Sequence, residues 1–450
     1  MSAKLTQGAI STHLVQQTVP MLLGIACIMS VGILDAYFIG QLGADALAAV
    51  SFIFPVTVAL SSLGVGVLAG IGSVVARDLG AGLDDRAESR ANLGLTIGAV
   101  AGLSIAAVLY VLKGPLFALM GADEALAPLI DAYMTPFTLG FPLLLTNMAS
   151  NGVLRGQGLA KEASVGLFVF AIANWILDPL LIDGAFGFEG FGIAGAAYAT
   201  LGGWAAGSLV GLYYVQTSAL RFSLRGLRKG DWRSGAWAIV RVGAPAAGSS
   251  SINPIGLSVL TAFVADYGQA QVAGFGAAGR LQAFAVVPLL ALSSSIGAVV
   301  GQNWGAGKLG RAAQALRQAC GFSVVYGLAT AALLVLLRDP LAGLFTDDAA
   351  VREAVGLYLI VAAWGFSGYG VLIVTNGAFN AVDQAGAALA VSIARVFLVM
   401  LPVAYFAGAA FGVAAVYGGE LAAHKVGGTV SALVGWSVFR RKARDGAVAE

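Results

Sequence analysis

Charge is scarce in this sequence. Of its 450 residues only 11% are Asp, Glu, Lys or Arg, where a soluble domain carries roughly a quarter. That deficit excludes an ordinary water-soluble domain, and no nucleic-acid partner is expected. Cysteine is nearly absent too. Cys27 and Cys320 both fall inside apolar runs, which excludes a disulfide framework or a cysteine metal site and leaves two small buried hydrophobes. The two histidines, His13 and His424, form no HExxH pattern, so the zinc-peptidase arrangement is excluded. A phosphate-binding loop is missing as well. The stretch GAGKLG follows Lys308 with Leu309 instead of Ser or Thr, its glycine spacing fails the Walker pattern, and no strand precedes it. ATP is therefore not expected to drive this chain, and no cofactor is implied.

What the sequence holds in abundance is apolar length. It is 58% hydrophobic with a mean hydropathy of +0.86, and its 62 glycines follow no collagen period; spanning helices tolerate glycine well. Apolar windows near the ~20 residues that cross a bilayer recur twelve times. They fall at 14–40, 46–75, 92–112, 127–153, 164–184, 191–217, 236–264, 270–302, 312–338, 350–376, 387–410 and 411–438. The expected fold is an all-α membrane protein with twelve transmembrane helices. The N-terminus reads as a short polar lead into a long span, without the small-residue site of a cleavable signal. Lysine and arginine orient the spans. With both termini cytoplasmic, 19 of the 25 basic residues face inward, while Lys113, Arg338 and Arg352 face outward and Arg280, Arg395 and Lys425 fall inside spans. The chain is expected to sit in an inner membrane, a monomer whose partners are the lipid bilayer and its transported substrates.

The sequence is also written twice. LGADALAAV near Gly43 and YGQAQVAGF near Gly268 lie 225 residues apart, and RDLGAGLDDR (Arg77 to Arg86) and QNWGAGKLGR (Gln302 to Arg311) keep that offset. FGIAGAAYAT (Phe191 to Thr200) answers FGVAAVYGGE (Phe411 to Glu420) at an offset of 220. Each copy holds six spans, an even number, so both enter the membrane from the same side. Such parallel repeats form two six-helix lobes related by a pseudo-two-fold axis along the membrane normal, with a substrate cleft between them. The expected boundaries are 1–217 for the first lobe and 218–235 for a cytoplasmic linker with Arg221, Arg225, Arg228, Lys229 and Arg233. Residues 236–438 then make the second lobe and 439–450 a cytoplasmic tail.

Nearly all 23 acids sit in loops or at span ends; Asp35, Asp178 and Glu420 are the exceptions. A charge at bilayer depth costs on the order of 3 kcal/mol or more and marks a functional site by default. Asp178 lies in ANWILDPLLI, and Asn174 precedes it by four residues, hence on the same helical face. Asp35 is five residues from the outer end of its span, Asp178 six and Thr200 nine, so the three reach a similar level. Pro179 and the glycines from Gly192 to Gly195 are expected to leave backbone carbonyls unpaired nearby. Two carboxylates, an amide, a hydroxyl and free carbonyls suit a proton or a hard cation such as Na+, the latter held by Asp35 and Asp178.

Other signals are weaker. Tyr37, Phe38, Phe52 and Phe54 are candidates for gripping a cationic drug through their ring faces, against the plainer reading of core or lipid-facing aromatics. Gly203, Gly207 and Gly211 repeat GxxxG, a close-packing signal. By the repeat, Glu420 stands where Thr200 does in the first lobe. It is expected to pair with Arg280 or Arg395, with substrate or proton handling as the other reading. Lys425 is placed to snorkel inward.

These residues carry a resemblance. LDAYFIGQLGADALAAVS (Leu34 to Ser51), RGQG (Arg155 to Gly158), NWILDPLLI (Asn174 to Ile182) and FGIAGAAYAT are similar to the multidrug and toxic compound extrusion (MATE) family, over the whole chain. The resemblance implies two six-helix lobes that export organic cations and other amphipathic drugs in exchange for H+ or Na+. It is closer to the DinF branch, whose cation site draws an aspartate from the first helix, an Asn and Asp from the fifth and a Thr from the sixth. Those roles fall on Asp35, Asn174, Asp178 and Thr200, with the Ala196 carbonyl, Tyr133 and Asn151 as neighbours. The NorM branch carries acids on its seventh and tenth helices. Here GAPAAGSSSINPIG (Gly243 to Gly256) and WGFSGYGVLIVTNGAF hold none, and Arg280, Arg395 and Glu420 stand in that lobe instead.

The implied mechanism is alternating access. Two acids in one buried pocket repel, and a proton or cation that removes this cost selects a different arrangement of the first lobe. A lipid-intermediate or polysaccharide flippase of the same twin-lobe build is the alternative, with Arg280 and Arg395 in its favour. An intramembrane aspartyl protease fits poorly, because its GxGD setting is missing around both aspartates.

Overall fold

The chain is almost wholly helical in the computed structural model, which describes residues 3–184, 189–223, 226–227 and 231–448, with side chains as far as 442. The expected linker residues Arg225, Arg228 and Lys229 and the side chain of Arg444 lie outside the described residues. Hydrocarbon dictates the helices, since each backbone N–H and C=O must find its partner within its own segment. In chain order these are α1 (Ile10–Gln41), α2 (Ala44–Gly80), α3 (Asp84–Leu119), α4 (Ala127–Gly156), α5 (Ala160–Ile182) and α6 (Ile193–Thr217). There follow α7 (Trp232–Ala265), α8 (Gln269–Ala285), α9 (Val287–Gly305), α10 (Leu309–Leu336) and the short α11 (Arg338–Gly343). The last are α12 (Ala349–Ala362), α13 (Phe366–Ala381), α14 (Ala385–Ile393), α15 (Leu401–Phe411) and α16 (Val413–Val448).

Among the described residues ten helical stretches are long and apolar enough to cross a bilayer, counting Ala349–Ala381 and Ala385–Phe411 as one each. The pair α8 and α9, bent by 42°, makes an eleventh. Pro288 in the first turn of α9 accounts for the bend: it offers no N–H to the turn before it and its ring crowds that turn. The final helix, α16, has 36 residues, about 54 Å at ~1.5 Å per residue, ample for a twelfth crossing. It is less apolar because it carries Glu420, His424 and Lys425.

The repeat is visible in the backbone. Gly43 and Gly268 turn with φ of 110° and 103°, Gly82 and Gly307 both with 71°, and Gly192 and Gly412 with 57° and 80°. Each pair keeps the offset of its motif, and each needs the left-handed freedom of glycine. Side chains repeat too. Arg86 Nε donates to Asp78 Oδ1 at 2.8 Å, and Arg311 Nε donates to Asn303 Oδ1 at 3.0 Å, 225 residues on.

Two compact units result. One comprises Val19–Ala247; the other comprises Lys4–Thr18 and the chain from Gly248 onward. The boundaries fall inside α1 and α7, not at the ends of the polar linker, because both flanking segments pack as well as connect. In the C-terminal unit the Leu5 N–H donates to Gln302 Oε1 at 3.2 Å, Asn303 Nδ2 donates to the Leu5 carbonyl at 3.0 Å, and Lys308 Nζ to the Thr6 carbonyl at 3.0 Å. Leu5, Ile10 and Leu14 are buried against Val299, Leu316 and Phe439. In the N-terminal unit the linker is held by Asn92, whose Oδ1 accepts from the Ser223 N–H at 2.6 Å.

Candidate functional site

The buried residues of α5, among them Ala163, Leu167, Ala171, Asn174, Asp178 and Ile182, recur at helical spacing, so they form one stripe turned into the unit. Asn174 and Asp178 belong to that stripe and are fully buried. Asp178 therefore faces protein, not lipid. The half-buried Asp35 of α1 meets it, the two carboxyl groups lying in hydrogen-bond contact. Asp35 Oδ1 is buried with no partner among the described residues.

Asn174 ties this pair to α6. With its amide oriented by its neighbours, it donates to Asp178 Oδ2 at 2.7 Å and accepts from the Thr200 N–H at 3.3 Å. In a regular helix that N–H serves the Ala196 carbonyl, so Ala196 shares its donor with Asn174. Tyr133 of α4 lies within electrostatic range of both carboxyl groups. Asp35, Asn174, Asp178, Thr200, Ala196 and Tyr133 thus come together from α1, α4, α5 and α6.

Three expectations need correcting here. Asn151 does not join this group: its Nδ2 donates to Asn147 Oδ1 at 3.0 Å, and it lies 18 residues from Tyr133, about 27 Å along α4. Of the carbonyls expected to stand unpaired, those of Leu181 and Ile182 at the end of α5 are taken, while Pro179 still withholds its N–H from the Trp175 carbonyl one turn earlier. Phe191 and Gly192 donate their N–H groups to Leu181 and Ile182 at 2.7 and 3.2 Å, because the segment entering α6 folds back over α5. The four aromatics do not act alike. Phe38 and Phe52 pack against the unit's buried core, while Tyr37 and Phe54 are 61% and 63% exposed. The GxxxG face of α6 does pack closely: a Cβ on Gly207 would lie 2.5 Å from Asn147 Nδ2.

The C-terminal unit departs further from expectation. Glu420 is buried, yet among the described residues it forms no ion pair with Arg280 or Arg395. Neutral groups hold it instead: Gln282 Nε2 donates to Oε1 at 2.9 Å and the Tyr358 hydroxyl to Oε2 at 2.9 Å. His424, one turn along α16, stands 4.0 Å from Oε1. Arg280 is exposed. Arg395 is buried and donates through Nη2 to Asn253 Oδ1 at 2.6 Å. Lys425 is exposed and donates to Ser367 Oγ at 2.7 Å. Sequence reading missed Gln282, Tyr358 and Asn253. The repeat offered a clue to one of them, since Tyr133 and Tyr358 are 225 residues apart, and each attends a buried acid.

The fold and these residues can be set beside known proteins. The MatE family profile matches residues 20–180 and 245–406. The chain belongs to the MatE family. A relative in Shewanella oneidensis, the "FAD transporter", is 35% identical over 89% of this chain and 88% of its own length. The "Multidrug export protein MepA" of Staphylococcus aureus is 26% identical over 89% and 87%. The bent form of the Vibrio cholerae MATE transporter VcmN superposes with a TM-score of 0.90 at 28% identity, over 96% of this chain and 98% of that one. MATE structures have twelve helices in two lobes, and this multi-pass membrane protein shares that fold. Members of the family are transporters rather than enzymes.

Proposed function

We propose that this MATE chain is a proton-coupled exporter of amphipathic organic compounds in which Asp35 and Asp178 hold the exchanged proton. The carboxyl-to-carboxyl contact carries the reading. Two ionised carboxylates cannot rest at hydrogen-bond distance without strong repulsion, whereas one shared proton turns that contact into a bond. Asn174 fixes Asp178 by donating to the oxygen Oδ2 and anchors it to α6 through Thr200. Loss of the proton leaves two charges facing one another and favours a second arrangement of α1 and α5; regaining it restores the first. Alternating access follows if the two arrangements open to opposite sides. The DinF-like character of the site, cytoplasmic termini and a monomeric state belong to the same proposal.

For the cargo, the multidrug relatives support organic cations and other amphipathic drugs. The identity to the Shewanella relative favours a second reading, flavin adenine dinucleotide. The test uses everted vesicles with pH and Na+ gradients imposed separately and ethidium or flavin adenine dinucleotide as cargo. A pH gradient alone should drive the wild type, while Asp35→Asn and Asp178→Asn reach the membrane but lose the response. Transport that follows Na+ alone, or variants that transport normally, would overturn the assignment.

A further inference from the structure

We infer that the C-terminal unit carries a second binding site, a cavity that takes an aromatic organic anion whose charged group is met by Arg395. The cavity measures about 410 Å³, within the range of small-molecule sites. Its walls include Asn253 and Leu257 of α7, Phe275 and Gln282 of α8, and Tyr369 of α13. Gly276 and Gly279 also line it, and a Cβ on either would meet nothing within 4 Å. Asn253 lies 12 residues before the end of α7 and Gln282 13 after the start of α8, roughly 18–20 Å along each helix. Those depths fall well inside a hydrocarbon core of about 30 Å.

Arg395 stands directly behind this wall. It is 3% exposed. Its Nη2 donates to Asn253 and its guanidinium sits 5.5 Å from the centre of the Tyr369 ring, both of them wall residues. Its Nε and Nη1 have no partner among the described residues. The placement is built, not incidental. Arg395 rides on a π-helical stretch, Ala394–Met400, of the kind that recurs at functional sites. Gly427 makes room for its stem, since a Cβ there would lie 2.7 Å from Arg395 Cδ.

No acid pairs with it among the described residues. Glu420 is engaged by Gln282 and Tyr358 instead. A buried cation with unused donors is costly at bilayer depth, and an anionic ligand group offsets that cost through charge-assisted hydrogen bonds. Phe275 and Tyr369 supply ring faces for the rest of the molecule. None of this depends on the carboxyl pair, which belongs to the other unit.

Two fluorescent probes that share a ring system test the site: anilinonaphthalene sulfonate, an anion, and N-phenylnaphthylamine, which is uncharged. Binding is measured on the full-length protein in phosphatidylcholine nanodiscs, with the signal of empty discs subtracted. Wild type should prefer the sulfonate by about tenfold or more, as expected for a hydrogen bond to a charged group. Arg395→Gln should erase the preference while leaving the uncharged probe unaffected, Arg395→Lys should keep part of it, and Gly279→Leu, filling the cavity, should weaken both probes. Asp178→Asn should leave the preference intact, so failure here is separable from failure of the coupling proposal. Phosphatidylglycerol that competes in wild type but not in Arg395→Gln would overturn the aromatic ligand in favour of a lipid headgroup; absence of that competition supports a free aromatic anion. Equal affinity of wild type for the two probes, or sulfonate binding untouched by Arg395→Gln, overturns the proposal. Should Arg395→Gln not fold, sulfonate binding unchanged by Gly279→Leu overturns it equally.

Discussion

A carboxyl pair that shares one proton sets how much work a pH gradient can do. In the proposed coupling the contact between Asp35 and Asp178 holds one exchanged proton, so one proton is expected to cross per transport cycle. Across one pH unit that proton supplies about 1.4 kcal/mol, enough for a tenfold concentration ratio. Exchange for a monovalent organic cation moves no net charge, and the membrane potential then adds nothing. A neutral cargo leaves one uncompensated charge, worth about 2.3 kcal/mol per 100 mV, or roughly a further fiftyfold. A dianion leaves three charges, worth about 7 kcal/mol per 100 mV. The assay is accumulation of ethidium by reconstituted protein at steady state, with the potential clamped by potassium and valinomycin. About tenfold accumulation per pH unit is expected, unchanged when the clamp is moved by 100 mV, and none above equilibrium in Asp178→Asn. Accumulation near a hundredfold per pH unit would refute the reasoning, because two protons would then be moving and the pair would have to open and discharge both. The same clamp reads the charge of any other cargo from the slope.

Three further outcomes follow from the packing. Gly207→Ala should cost about 1–3 kcal/mol by overpacking, because its Cβ would press on Asn147 Nδ2 at 2.5 Å and the Gly166 carbonyl at 3.1 Å; Gly211→Ala, whose Cβ meets only Ser150 at 3.1 Å, should be milder in thermal melts of detergent-purified protein. Glu420→Ala should leave the Gln282 amide without its acceptor, while the Tyr358 hydroxyl keeps Gln282 Oε1, costing on the order of 1–3 kcal/mol for one buried group, and Glu420→Gln should recover part of the loss in the same melts. Asn92→Ala removes the acceptor of the Ser223 N–H and should speed limited proteolysis of the linker without lowering the melting midpoint of the whole protein by more than a degree or two; cleavage at the wild-type rate would show that this contact does not anchor the segment.

The spans were legible because hydrophobic length is a property of the chain alone. Asp35 and Asp178 stood out for the same reason, since an acid in an apolar run is conspicuous whatever surrounds it, and the four-residue step from Asn174 put both side chains on one face before any packing was considered. Neutral polar residues carry no such flag. Gln282 and Tyr358 look like many others in the spans, and only the meeting of α8, α12 and α16 reveals that they hold Glu420. Charge misled for a physical reason as well: two arginines and an acid in one lobe suggest a pair, but Arg280 is exposed and Arg395 turns to Asn253. Asn151 was close in sequence to a motif and far along α4 from Tyr133, the residue of that helix that attends the acids. The docking of Leu5 and Ser223 was invisible because backbone groups have no sequence signature.

The repeat shows how one scaffold came to hold acids in two ways. Its turns are kept to the level of backbone angle, and a tyrosine is kept at the same register, Tyr133 in one copy and Tyr358 in the other. The acids are not kept. In the N-terminal unit they stand on α1 and α5 and touch each other; in the C-terminal unit the position matching Thr200 has become Glu420, and the residues at the 225 and 220 offsets from Asp35 and Asp178 are Leu260 and Leu398. A single acid held by an amide and a hydroxyl has its hydrogen bonds satisfied without a second carboxylate, so removing a proton from it creates no facing charge and supplies no repulsion to move a helix. Paired acids do supply that repulsion. Conformational work by the proton is therefore expected from the N-terminal copy alone, and Glu420→Gln should leave the accumulation ratio per pH unit unchanged while Asp35→Asn removes it.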